Sequence, residues 1–204
     1  MRFLKVSNFT VFKKLLSVLF LISLCFIVVG CSENGMAEED ETETNSTDKQ
    51  NKESIQAVIE KEFNGPDKKY RELWKAAMAT QTTEMNQEEY EATLETPVYK
   101  EFIEYMEDVY SPYFTENAYD IFSRTVAFSY SFSEKEYKIN TSNIKINQNE
   151  IEKTLYNFTF EVNYENEKGE ENTYNFEGKA IVPEVGEIGK MEFNDKDGLQ
   201  EQIR

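Results

Sequence analysis

Histidine is missing altogether from the 204 residues. Without an imidazole, Ser-His-Asp and Cys-His nucleophilic sites and most zinc sites cannot be built. Carboxylates, lysines and tyrosines remain as acid–base candidates. Cysteine is nearly as scarce, with only Cys25 and Cys31. Proline occurs four times, at 66, 97, 112 and 183, each at a boundary between periodic segments. Positive charge is in deficit, since 22 Lys and Arg face 39 Asp and Glu for a net charge of -17. Such a surface repels phosphate backbones and anionic membranes alike, so nucleic acid is the first partner class to set aside. Long apolar runs are limited to Leu15–Gly30, whose 16 residues fall short of the roughly 20 that a spanning helix needs.

That run is the feature around which the chain is organised. Arg2, Lys5, Lys13 and Lys14 precede it, Gly30 and Cys31 end it, and a polar, acidic stretch comes next. A positive start, an apolar centre and a small residue before the cut make a secretory signal. The charge asymmetry fits export of the chain beyond Cys31. A plain signal peptide and an uncleaved anchor are the competing readings. Val28-Val29-Gly30-Cys31 resembles the lipobox of bacterial lipoproteins. The resemblance implies a diacylglyceryl group on the Cys31 thiol and cleavage between Gly30 and Cys31. It places the protein on the extracytoplasmic face of the cell membrane, held in the lipid bilayer through acylated Cys31. Two acyl chains suffice for stable attachment. Cys25 leaves with the leader, so the mature chain keeps no thiol for a disulfide, a metal or a nucleophile. Losing residues 1–30 removes four positive charges and no acids, which takes the net charge from -17 to -21.

The mature chain divides into a tether over 31–53 and one domain over 54–204. Ser32 to Glu53 is highly charged with only Met36 and Ala37 apolar, a composition that cannot offset the entropy lost on folding. As a flexible coil it would span about 26 Å. Its acids at 38–41 are read as solvated. Ser54 is the expected cap of a first helix carrying Ile55, Val58, Ile59 and Phe63 on one face, stopped by Asn64-Gly65-Pro66. From Asp67, the spacing of Tyr70, Leu73, Trp74, Ala77 and Met78 predicts an amphipathic helix. Asn86 to Glu89 reads as a capping box for a short helix over 87–95. Thr96-Pro97 starts another, with Tyr99, Phe102, Ile103, Met106 and Tyr110 inward, and Thr115 caps a further piece with Ala118, Tyr119 and Phe122. Residues 126–132 fit either a strand or a helical extension.

Beyond that point the period changes to two. Tyr137, Ile139, Ile144 and Ile146 suggest a strand with an irregular middle. Tyr156, Phe158, Phe160, Val162 and Tyr164 make a strand with one buried face, and Tyr174, Phe176, Gly178, Ala180 and Val182 make the next. Ile188, Met191 and Phe193 form the last, with a phase change that implies a bulge near Gly189. The fold class is therefore α+β, helices first and then a curved antiparallel sheet. This order resembles the cone-shaped nuclear transport factor 2-like (cystatin-like) superfamily. More narrowly it is similar to small lipoproteins of low-GC Gram-positive bacteria, on residues 64–67 (Asn-Gly-Pro-Asp) and 189–193 (Gly-Lys-Met-Glu-Phe).

The resemblance implies an apolar pocket at the open end of the cone. Tyr70, Trp74, Phe102, Tyr110, Phe122, Tyr156, Phe158, Phe160 and Tyr164 are its candidate lining, with plain core as the competing reading. Catalytic relatives use an inward aspartate base, and no carboxylate is turned inward by the pattern here. Asp120 and Arg124 share a helix face as a surface pair. Asn194 to Gly198 is a turn, because a calcium loop would need ligands at Phe193 and Arg204. No cofactor or metal is expected. The chain thus reads as an anchored, extracytoplasmic, non-catalytic module that binds a protein or envelope ligand. A small pocket enzyme of isomerase or hydrolase type and a structural subunit of an envelope or conjugation complex are the alternatives. On fractionation of cells making the wild-type chain and its Cys31→Ala form, the wild-type chain should sediment with membranes. Both forms in the soluble phase would refute acylation.

Overall fold

In the computed structural model, the described residues are 38–204 except 83 and 134, with side chains from Asn45 onward. The leader, Gly30, Cys31 and the first part of the expected tether lie outside them. Helix α1 spans Glu38–Phe63. It starts well before Ser54, which corrects both the tether boundary and the expected cap. The physical reason lies in the polar residues that composition treats as solvated. Asp48 binds Lys52 at 2.7 Å, and Lys49 approaches Glu53 at 3.7 Å, each one turn apart. Asn51 is 4 % exposed, donates to Tyr156 Oη (3.0 Å) and accepts from Gly186 N–H (2.8 Å). A polar residue with two fixed partners can be buried as readily as an apolar one.

Three further helices follow the expected signals: α2 (Lys68–Met78), α3 (Gln87–Leu94) and α4 (Pro97–Tyr110). Asp67 caps α2 by accepting from Tyr70 N–H at 2.8 Å. The capping box of α3 is complete, Asn86 and Glu89 each satisfying the other's backbone N–H. A 3₁₀ turn, Ser111–Tyr113, leads to α5 (Glu116–Thr125). Residues 126–131 are neither strand nor helix but a run of turns.

Strands β1 (Tyr137–Gln148), β2 (Leu155–Asn166), β3 (Glu171–Ile181) and β4 (Lys190–Asp195) form a curved antiparallel sheet in chain order. The irregular middle of β1 is a register shift between Ser142 and Lys145. Asn143 takes φ 53 there and donates to Glu161 Oε2 at 2.7 Å, a conformation asparagine tolerates better than most residues. Glu161 thus stays on the polar side of the sheet. Near Gly189, the Gly189 N–H donates to Ile181 O (2.8 Å) although the ladder partner of Ile181 is Lys190. Two residues therefore oppose one, as in a bulge.

The core lies between α1 and the inner face of the sheet. Phe63 is its centre, with Tyr130, Phe160, Phe176 and Phe193 at ring separations of 4.5 to 5.2 Å. A last helix, α6 (Leu199–Ile203), buries both its ends. Its N-terminus is capped by the last residue of β4: Asp195 accepts from the N–H groups of Gly198, Leu199 and Gln200 at 2.8 to 3.0 Å. Of the turn expected over 194–198, Asn194 and Asp195 instead end β4, and the chain bends at 196–197 so that Asp195 satisfies the helix end. β3 carries no side chain at Gly178, where Phe158 and β4 approach closely. A Cβ on Gly178 would overlap the Phe158 ring and the Glu192 carbonyl oxygen. Gly178→Ala should cost about 3 kcal/mol, by overpacking at a site where backbone cannot retreat, read as a lower urea midpoint.

Candidate functional site

The expected pocket residues do not converge on one cavity. Phe122 and Phe158 border a cavity of about 1000 Å³ between α5 and the sheet, together with Phe114, Ile121, Met191 and Phe193. Its charged border is Glu177, Lys179, Lys190 and Glu192. Lys196 bonds Glu177 (2.5 Å) and Lys190 bonds Glu192 (2.7 Å). Each lysine's hydrogen bond holds its carboxyl below the usual carboxylate range.

Tyr70, Trp74 and Phe102 belong to a second groove of about 640 Å³ among α2, α4 and α5. The Asp120–Arg124 pair, 2.6 Å apart and largely exposed, sits at its border. The other candidates are engaged elsewhere in the fold. Tyr156 Oη accepts from Asn51 and Gln148. Phe160 stacks on Phe176 at 5.0 Å, and Tyr164 stacks on Tyr137 at 5.9 Å.

Tyr110 leads to the residue that the sequence reading missed. Glu62, in the last turn of α1, is 1 % exposed. One carboxylate oxygen, Oε2, accepts from Tyr110 Oη and Phe128 N–H, both at 2.7 Å. The other accepts from Ser129 Oγ (3.0 Å) and Tyr130 N–H (3.2 Å). No cation is among these partners. Burial raises the Glu62 pKa from 4.5 to about 7, and the four donors pull against that rise. The same burial, with the Glu62 charge beside it, raises the Tyr110 hydroxyl well above its ordinary value and lifts Tyr70 to about 12.

The signal for Glu62 was present. It stands seven residues after Ile55 and three after Ile59, in the middle of the α1 apolar face. What no pattern shows is the other half of the arrangement, the turn it grips. Phe128 sits at φ 59, costing about 1–2 kcal/mol for a bulky side chain. Its N–H is held by Glu62, and its ring stacks on Tyr70 at 4.2 Å with 9° between planes. Chemically the carboxylate is a closed acceptor. All four of its bonds are made, and it borders neither the cavity nor the groove.

Among the described residues, no group of three or more Asp, Glu, His or Cys is placed to hold a metal ion. No helix there is long and apolar enough to cross a membrane. Compared with known protein families, curated proteins and solved structures, the chain matches none.

Glu62 gives the stability curve a definite sign. Its pKa is higher folded (about 7) than unfolded (4.5), so the folded state binds the extra proton between those values and stability falls as pH rises through them. The fall attributable to this group is about 3 kcal/mol, at 1.36 kcal/mol per pH unit. Subtracting the pH curve of Glu62→Gln from that of wild type should recover this slope between pH 4.5 and 7. Parallel curves in that window would refute the assignment.

Proposed function

We propose that the chain is a membrane-anchored extracytoplasmic lipoprotein whose folded domain is a non-catalytic binding module. The observation that carries the second half is the separation of acid from cavity. The carboxyl group that burial brings near neutrality is sealed by four donors. The carboxylates that border the cavity, Glu177 and Glu192, are held ionised by lysines. A general acid working near neutral pH needs a raised pKa and a path to substrate, and here the two features fall on different residues. What borders the cavity instead is apolar surface with a few charged groups around it, the usual make-up of a binding site.

The first half rests on Val28-Val29-Gly30-Cys31 and the basic residues before Leu15. In this reading Cys31 carries the lipid, and an unidentified protein or envelope component occupies the cavity. The helices-then-sheet order supports a cone of the nuclear transport factor 2-like type, within which binding modules and enzymes share one architecture. The sealing of Glu62 disfavours the isomerase-type alternative.

Nile red provides a direct measurement. Its fluorescence should rise on binding the full chain, and Ile121→Glu should weaken that binding at least tenfold. Ile121 borders the cavity and is 66 % exposed, so the substitution spares the core. Equal binding by both forms would remove this cavity as the site.

A further inference from the structure

Both edges of the sheet are covered in part by other segments. At the start of β1 the outward backbone groups are used: Gly65 N–H donates to Ile139 O (3.0 Å), Ile139 N–H donates to Gly65 O (2.8 Å), and Thr141 N–H donates to Asn64 Oδ1 (2.8 Å). On β4 a loop begins the same task, and among the described residues it stops after one residue. Ile188 N–H donates to Tyr113 O (2.8 Å), and Thr115 N–H donates to Ile188 O (3.1 Å), in a short parallel bridge. Then α5 begins at Glu116 and the segment turns away.

The ladder shows which groups are left. Lys196 N–H donates to Asn175 O (3.3 Å), and Lys190, Glu192 and Asn194 pair with Ile181, Lys179 and Glu177. Bonded residues alternate along an antiparallel pair, so the N–H and C=O groups of Met191 and Phe193 point out of the edge. Both residues border the 1000 Å³ cavity, whose other wall is α5 with Ile121 and Phe122.

We infer that this cavity takes an extended peptide segment of a partner protein, added antiparallel to β4 as a fifth strand between the sheet and α5. This rests on reading the cavity as a binding site and names its ligand class. An open strand edge selects a backbone in extended conformation, since only that repeats donors and acceptors at the spacing of alternate residues. The period of two also sets the sequence of the guest. Residues opposite Met191 and Phe193 share their face and turn toward Ile121 and Phe122, so they are apolar. The intervening residues share the face of the Lys190–Glu192 pair and are polar.

The probe is a fluorescent octapeptide alternating valine and threonine, titrated by anisotropy into the full chain in lipid nanodiscs. Valines then lie opposite Met191 and Phe193, and their N–H groups point at β4. N-methylation of the valines should weaken binding at least tenfold, and N-methylation of the threonines by less than threefold. Met191→Pro, which deletes one outward N–H, should also cost at least tenfold. Equal losses from both methylation patterns, or no loss from either, would overturn strand addition. So would Nile red binding without octapeptide binding, which leaves the cavity reading standing. Failure of Nile red to bind would overturn both.

Discussion

The carboxylate of Glu62 joins three parts of the chain that no strand ladder connects. It sits in the last turn of α1, takes the hydroxyl of Tyr110 at the end of α4, and grips the turn after α5 through two backbone N–H groups and the Ser129 hydroxyl. Phe128 holds its left-handed conformation under that grip, and its ring joins Tyr70, Tyr105 and Tyr110. A buried charge without a counter-ion persists only when hydrogen bonds replace its hydration. Here each oxygen has two donors, so the charge is costly to bury and fully partnered. Breaking any one bond would leave a buried polar group unmatched, which ties α1, α4 and the turn into one cooperative unit.

Neighbouring contacts extend the same unit. Ser131 accepts from Asp67 N–H through Oγ and from Arg71 Nε through its carbonyl, at 2.9 and 2.8 Å. Tyr137 donates to the Tyr130 carbonyl, and Ser133 donates to Ile203 O in α6. The irregular stretch after α5 is therefore fixed by side chains from α1, α2 and β1 and by the backbone of α6. The consequence is a rigid interior in which the carboxyl group tuned near neutrality serves structure. The larger cavity lies elsewhere, at the boundary where α5 diverges from β4.

The acidic surface fits this division of labour. Charge repulsion keeps a body of net charge -17, or -21 without the leader, apart from anionic lipid, and a lipid on Cys31 would then be what retains it there. Exposed ion pairs such as Asp120–Arg124 and Lys138–Glu165 contribute little to stability. The aromatic core around Phe63 supplies most of it.

By itself the sequence determined what local chemistry decides. Helices α2 to α5 follow from apolar spacing and from start signals at Asp67, Asn86, Thr96 and Thr115, of which the first three cap through their side chains and Thr115 makes no such bond, and β1 to β4 follow from alternation, with the irregularities near Asn143 and Gly189 showing as phase changes. The apolar run Leu15–Gly30 and the cysteine after it are equally local features. Tertiary structure alone decided the rest. Residues 38–53 became helical because Asn51 finds Tyr156 and Gly186 across the fold. The turn at 126–131 exists because Glu62 satisfies backbone groups 66 and 68 residues further along the chain. Which aromatics are core and which border a cavity depended on where α5 parts from β4. Each of these outcomes requires a partner distant along the chain, and no periodic pattern records a partner's position.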